Sequence, residues 1–148
     1  MPMDTGYKRV FAAVDGGDTQ RSVMEKAIRI AAENHAALCF GHVVDTVVSE
    51  ANAVDGERLS QSVYDRMLDE YADLFDAARA NPDIESVELK VMAGIVVETL
   101  ANMIIPEFDP DLVICCKRGL SGIRYAFVGS VSTYLIRNLR CDVLVVSK

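Results

Sequence analysis

The residue types best suited to chemistry gather in 113–133, VICCKRGLSGIRYAFVGSVST, and in the shorter VDGGD of 14–18. In the first, an apolar run ends on Cys115 and Cys116 and passes into a loop carrying Lys117, Arg118 and Arg124 beside Gly119 and Gly122. It closes on Gly129-Ser130. Glycines let a loop turn its backbone N–H groups inward, and a helix N-terminus aimed at the same point favours an anion. Ser130, Ser132 and Thr133 would add hydroxyls in that helix's first turn. The chemistry this suggests is phosphate binding; the plainer alternative is a strand-to-helix connector in which Ser130 is only an N-cap. In the second stretch, Asp15 ends an apolar run, where a carboxylate can accept hydrogen bonds from a ribose or an adenine amino group, or merely cap the turn. His42 reads as a core histidine rather than a base, because no Cys, Ser or Asp partner is identifiable for it.

These stretches need elements to carry them. RVFAAVD (9–15), ALCFGHVVD (37–45) and DLVICC (111–116) are short apolar runs of the kind buried on both faces of a parallel sheet. SVELKVMAG (86–94) alternates and predicts a strand at a sheet edge, and DVLVVS (142–147) predicts a last apolar strand. Between them, 19–36 places Val23, Ala27, Ile30 and Ala31 on one helical face. From Glu57 to about Ala80, apolar residues recur at spacings of three and four. A short helix over 96–105 is expected to stop at Pro106, and another covers 130–139. The order β-α-β-α-β-α-β-α-β predicts one α/β three-layer domain over 1–148, with a five-stranded parallel sheet and four helices. In such sheets ligands bind outside the carboxyl ends of the strands, at the switch point, which is where Asp15, Val43 and Cys115-Cys116 fall.

Composition narrows the classes. With 148 residues the chain suits one domain, and its net charge of −7 disfavours nucleic acid as a partner. No apolar stretch reaches the roughly 18 residues of a membrane span, and no basic-then-apolar leader opens the chain. Cys39, Cys115, Cys116 and Cys141 show no C-x-x-C or zinc spacing, so reduced, structural thiols and a cytoplasmic protein are expected. There is no Walker loop, no G-x-S-x-G elbow and no H-E-x-x-H, and no residue is placed to act as a base on water. No enzyme activity beyond slow ATP hydrolysis is expected.

Taken together, AAVDGG at the first strand, GHVVD at the second and DPDLVICCKRGLSGIRYAFVGSVSTYLIRNLRCDVLVV resemble the universal stress protein family over about residues 7–147. The resemblance implies a Rossmann-like fold of the adenine nucleotide alpha hydrolase type and a sensor or regulator of stress responses that binds ATP or AMP, with Mg²⁺ only alongside the nucleotide. Members that bind ATP carry G-x2-G-x9-G-[ST]; here Gly119 matches the second glycine and Gly129-Ser130 the closing pair, while Cys116 replaces the first glycine. The resemblance further implies that Ala13, Val14 and Asp15 line the adenosine pocket, that Val43 offers backbone bonds to the adenine, and that Cys115-Cys116 pass the ribose. Arg118, Gly119, Gly129, Ser130, Val131 and Ser132 would hold the phosphates. Val143, Leu144, Val145 and Val146 would pair across a homodimer. If the Cys116 position needed a positive φ, a side chain there would cost about 1 kcal/mol or more. A nucleotide-free dimer acting through contacts with another protein is the alternative, and a Cys116 side chain filling the cleft would mark it.

Overall fold

The computed structural model describes residues 6–16, 19–46, 53–116 and 130–147, with only the backbone described at 53, 54 and 130. Arg9–Ala13 forms β1, whose Val10, Phe11 and Ala12 are fully buried. Gln20–Asn34 forms α1, and Val23, Met24, Ala27 and Ala31 make its inner stripe. β2 is Ala37–Asp45, β3 Ser86–Gly94, β4 Leu112–Cys116 and β5 Asp142–Val146. All neighbours pair in parallel, in the order β3-β2-β1-β4-β5. The alternating strand is at one edge, as its pattern predicts, and β5 is at the other. The chain builds outward from β1 to β3 and then crosses to β4 on the far side. The switch point therefore lies between the carboxyl ends of β1 and β4.

Two expectations are corrected. The helix expected from Glu57 to Ala80 is two helices, α2 (Ala53–Glu70) and α3 (Ala72–Ala80), so that five helices rather than four appear among the described residues. The break is at Tyr71, with φ −111° and ψ 28°, and the amides of Leu74 and Phe75 both return to its carbonyl. α3 then carries Phe75 edge-on to Phe40, ring centroids 5.5 Å apart, a contact that rewards the restart with buried aromatic area.

Pro106 does not stop the helix that follows β3. That helix, α4, runs as Val96–Thr99, a π turn at Leu100–Ile104, and a last α turn Ile105–Phe108. Proline inside an α-helix removes an amide donor and its ring crowds the preceding turn. Here the wider turn, in which the Ile105 amide reaches back to the Leu100 carbonyl, comes just before the proline, and Pro106 sits in the first turn of the last α segment. Phe108 then lands between Phe11, 6.2 Å away, and the Arg9 guanidinium, 4.1 Å from its ring centre.

α5 is Ser130–Asn138. Two buried clusters lie on the two faces of the sheet. Leu38, Phe40, Met24, Met67 and Phe75 belong to the side of α1, α2 and α3, and Phe11, Cys39, Leu100, Ile104 and Leu135 to the side of α4 and α5. Gly41 has no substitute on that second face, because a Cβ there would run into the Phe11 ring.

Candidate functional site

Parallel strands that end together leave their last residues as the floor of a cleft, and here the floor is Ala13 of β1 with Val14 and Asp15 just past it, Val43 from β2, and Cys115 and Cys116 from β4. Val131, in the first turn of α5, closes one side. Val96 and Leu100 of α4 close the other, leaving a narrow cleft of about 30 Å³ that is open to solvent. Seven of the residues expected at a nucleotide site thus share one cleft. Ser132 is buried and is not among the residues that line it. Arg118, Gly119 and Gly129 lie outside the described residues, as does the side chain of Ser130.

The cleft is mostly apolar, and its polar groups sit on the rim. Asp15, half-buried, brings a carboxylate just past β1. It is not the N-cap of α1. That position is Thr19, which makes no side-chain cap bond. The Thr19 hydroxyl lies 3.1 Å from the Cys116 sulfur instead, tying the start of α1 to the end of β4. In the chain between β1 and α1, Gly16 adopts φ +81°, a conformation that favours glycine.

Cys116 lines the cleft, and its backbone carries none of the strain that its replacement of glycine suggests. Only His35 and Asp109 have positive φ among the described non-glycine residues, so the cysteine backbone is unstrained. It pairs with Val146 in the β4–β5 ladder, and its side chain, 5% exposed, belongs to the α1 face of the core. Cys115 points the other way, into the cluster under α4 and α5, as alternation on a strand requires. Burial pushes the Cys115 thiol up to about 12, far above the range of a reactive thiolate. All four cysteines are free.

His42 stands on the α1 face of β2, where its Nδ1 lies 2.7 Å from the Val14 carbonyl and must carry the proton that the bond needs. Burial holds its pKa below the usual histidine value, against the opposing pulls of that bond and of Asp15. Its role is to fix the backbone beneath Asp15, in line with its reading as a core histidine. Beside it the Gln20 amide oxygen is buried without a partner among the described residues.

Val96, Leu100 and Thr19 were not singled out by sequence reasoning. The first two are spaced i, i+4 directly after β3, a signal that was available. The third owes its importance to a residue 97 positions away.

The fold and cleft define an α/β domain of doubly wound type with an apolar cleft at its switch point. The model of the universal stress protein family matches residues 6–147, so the chain belongs to that family. A protein of Staphylococcus haemolyticus carrying the universal stress protein name is 30% identical over 143 residues, spanning 95% of this chain and 84% of its own. The universal stress protein UspA of Lactobacillus plantarum superposes with a TM-score of 0.70 at 20% identity, over 97% of this chain and 99% of its own. A universal stress protein solved in complex with cAMP superposes with a TM-score of 0.67 at 26% identity, over 97% and 98% of the two chains. No helix among the described residues is long and apolar enough to cross a membrane.

Proposed function

We propose that this protein binds an adenine nucleotide, ATP or AMP, in the cleft between β1 and β4 and acts as a sensor or regulator in the stress response. The observation that carries the reading is the convergence of Ala13, Val14, Asp15, Val43, Cys115, Cys116 and Val131 on one apolar cleft, with the Asp15 carboxylate at its rim. Apolar walls suit the faces of a purine, and a few placed polar groups suit its edge and its ribose. The relative solved with cAMP supports the same class of ligand. α5 begins beside the cleft, so the backbone amides of its first turn would face the phosphates. Mg²⁺ would enter with the nucleotide, held by its phosphates and the Ser130 hydroxyl; no cluster of three His, Cys, Asp or Glu that could hold a metal occurs among the described residues. Hydrolysis, where it occurs, is slow, since phosphoryl transfer is carried by positioning and a metal clamp.

Two copies would pair through β5, the sheet's outer strand, where Val143, Leu144 and Val145 are half-buried. The test of the main reading is direct. The protein as purified is denatured and its supernatant run over anion exchange, and stripped protein is titrated with ATP and AMP. Recovered or saturably bound nucleotide, weakened at least tenfold in Asp15→Ala, is the expected result. No nucleotide by either route overturns the reading and leaves the nucleotide-free dimer.

A further inference from the structure

We infer that Leu100, with Val96, sets the width of the base slot and so decides which substituted purines the cleft accepts. The inference rests on the nucleotide reading above and assigns its specificity.

The cleft has two unlike ends. Cys116 and Val131, from β4 and the start of α5, form one, next to the helix amides that suit phosphate. Val43, Val96 and Leu100, from β2 and α4, form the other. That end is apolar and suits the flat ring of a base, whose polar edge can reach the Asp15 carboxylate and the backbone at Val43.

Leu100 is the first residue of the π turn and is 4% exposed. A side chain that could swing back would leave the slot adjustable. Phe11 and Ile104 belong to the same buried cluster as Leu100, and both are fully buried or nearly so. The space over Gly41 is already filled by the Phe11 ring and the Ile104 Cγ2. Cores at this density yield little, so the wall is fixed from behind and Leu100 cannot retreat. Val96, four residues earlier on the same helical face, continues the wall toward solvent. π turns inside α-helices occur frequently at functional sites, and this one starts at the residue that meets the ligand.

The experiment titrates stripped wild type, Leu100→Ala and Val96→Ala calorimetrically with AMP and with AMP carrying a benzyl-sized group at C2, N6 or C8. Wild type is expected to bind AMP and to bind every bulky analogue at least tenfold more weakly. In Leu100→Ala at least one analogue recovers tenfold or more relative to AMP, and Val96→Ala moves the same analogue in the same direction. If circular dichroism shows Leu100→Ala unfolded, Leu100→Val takes its place beside Val96→Ala. Wild type that binds AMP, with folded variants that leave every analogue ratio within twofold, overturns the inference and spares the nucleotide reading. Wild type that binds no AMP or ATP overturns both.

Discussion

Replacing Cys116 with glycine would restore the first glycine of the ATP-binding motif, and the fold says that the exchange weakens the protein without opening its site. Three losses follow from the geometry. Burying a side chain of two heavy atoms is worth about 1 kcal/mol, and Cys116 is 5% exposed in the core under α1. Glycine within a strand costs about 0.5–1 kcal/mol in backbone entropy, and Cys116 is paired with Val146 at an unstrained φ, so nothing is regained there. The Thr19 hydroxyl, 3.1 Å from the sulfur, loses its partner at about 1 kcal/mol. Together these reach about 2.5–3 kcal/mol. For a chain of this length that lowers Tm by roughly 5–12 °C. Urea unfolding of wild type, Cys116→Gly, Cys116→Ala and Thr19→Val, at one protein concentration and without nucleotide, measures it. The alanine variant should lose about half as much, because it keeps the Cβ and the strand propensity. A glycine variant within 0.5 kcal/mol of wild type would refute the packing argument. Nucleotide affinity should change less than threefold, since the thiol is turned toward Thr19.

Gly41→Ala drives a Cβ into the Phe11 ring and should cost about 1–3 kcal/mol in urea, or abolish soluble expression. Gly16→Ala places a side chain at φ +81° and should cost about 1 kcal/mol, while widening the spread of conformations at Asp15; unfolding and nucleotide titration read both effects. His42 has a folded pKa below its unfolded 6.5, so the unfolded chain binds the proton first: stability is flat above pH 6.5, falls as the pH drops toward the lower folded value, and levels off below it. A His42→Gln variant should flatten that part of the urea-midpoint profile. Alkylation of the folded protein with iodoacetamide at pH 7.5, followed by mass spectrometry, should leave Cys115 and Cys39 unmodified, burial having raised both thiols; labelling of Cys115 at the rate of free cysteine would contradict its placement.

Sequence carried the strands well because four are apolar runs of five to nine residues bounded by turn residues, and the alternation of the fifth, in 86–94, even marked an edge. The strand ends then marked the cleft, since Asp15, Val43 and Cys115 needed only a parallel sheet to bring them together. What sequence could not carry was local competition between backbone rules and packing. Periodicity runs unbroken through Tyr71, and only the packing of Phe75 against Phe40 shows why the helix restarts. Pro106 is a stop by propensity, and a π turn made room for it. The Thr19–Cys116 tie joins residues far apart in the chain, and neither side chain announces the other. Cys116 itself was judged by the glycine it replaces, while the decisive facts, its φ and the side its thiol faces, belong to the folded ladder.

The π turn has a further consequence for how this helix can change. A turn closed over five residues holds one more residue than a turn closed over four, so α4 carries the equivalent of an inserted residue between its two halves. The half ending at Leu100 is phased to the cleft, and the half ending at Phe108 is phased to Phe11 and Arg9 at the other end of β1. A regular helix of the same sequence would rotate one half by about 100° against the other, giving up either the cleft wall or the aromatic stack. The extra residue lets one helix serve two registers. Substitutions near the cleft can then accumulate in 96–100 without disturbing the anchor at 105–108, and deleting one residue of 100–104 would let α4 close as regular α turns with both ends still in phase.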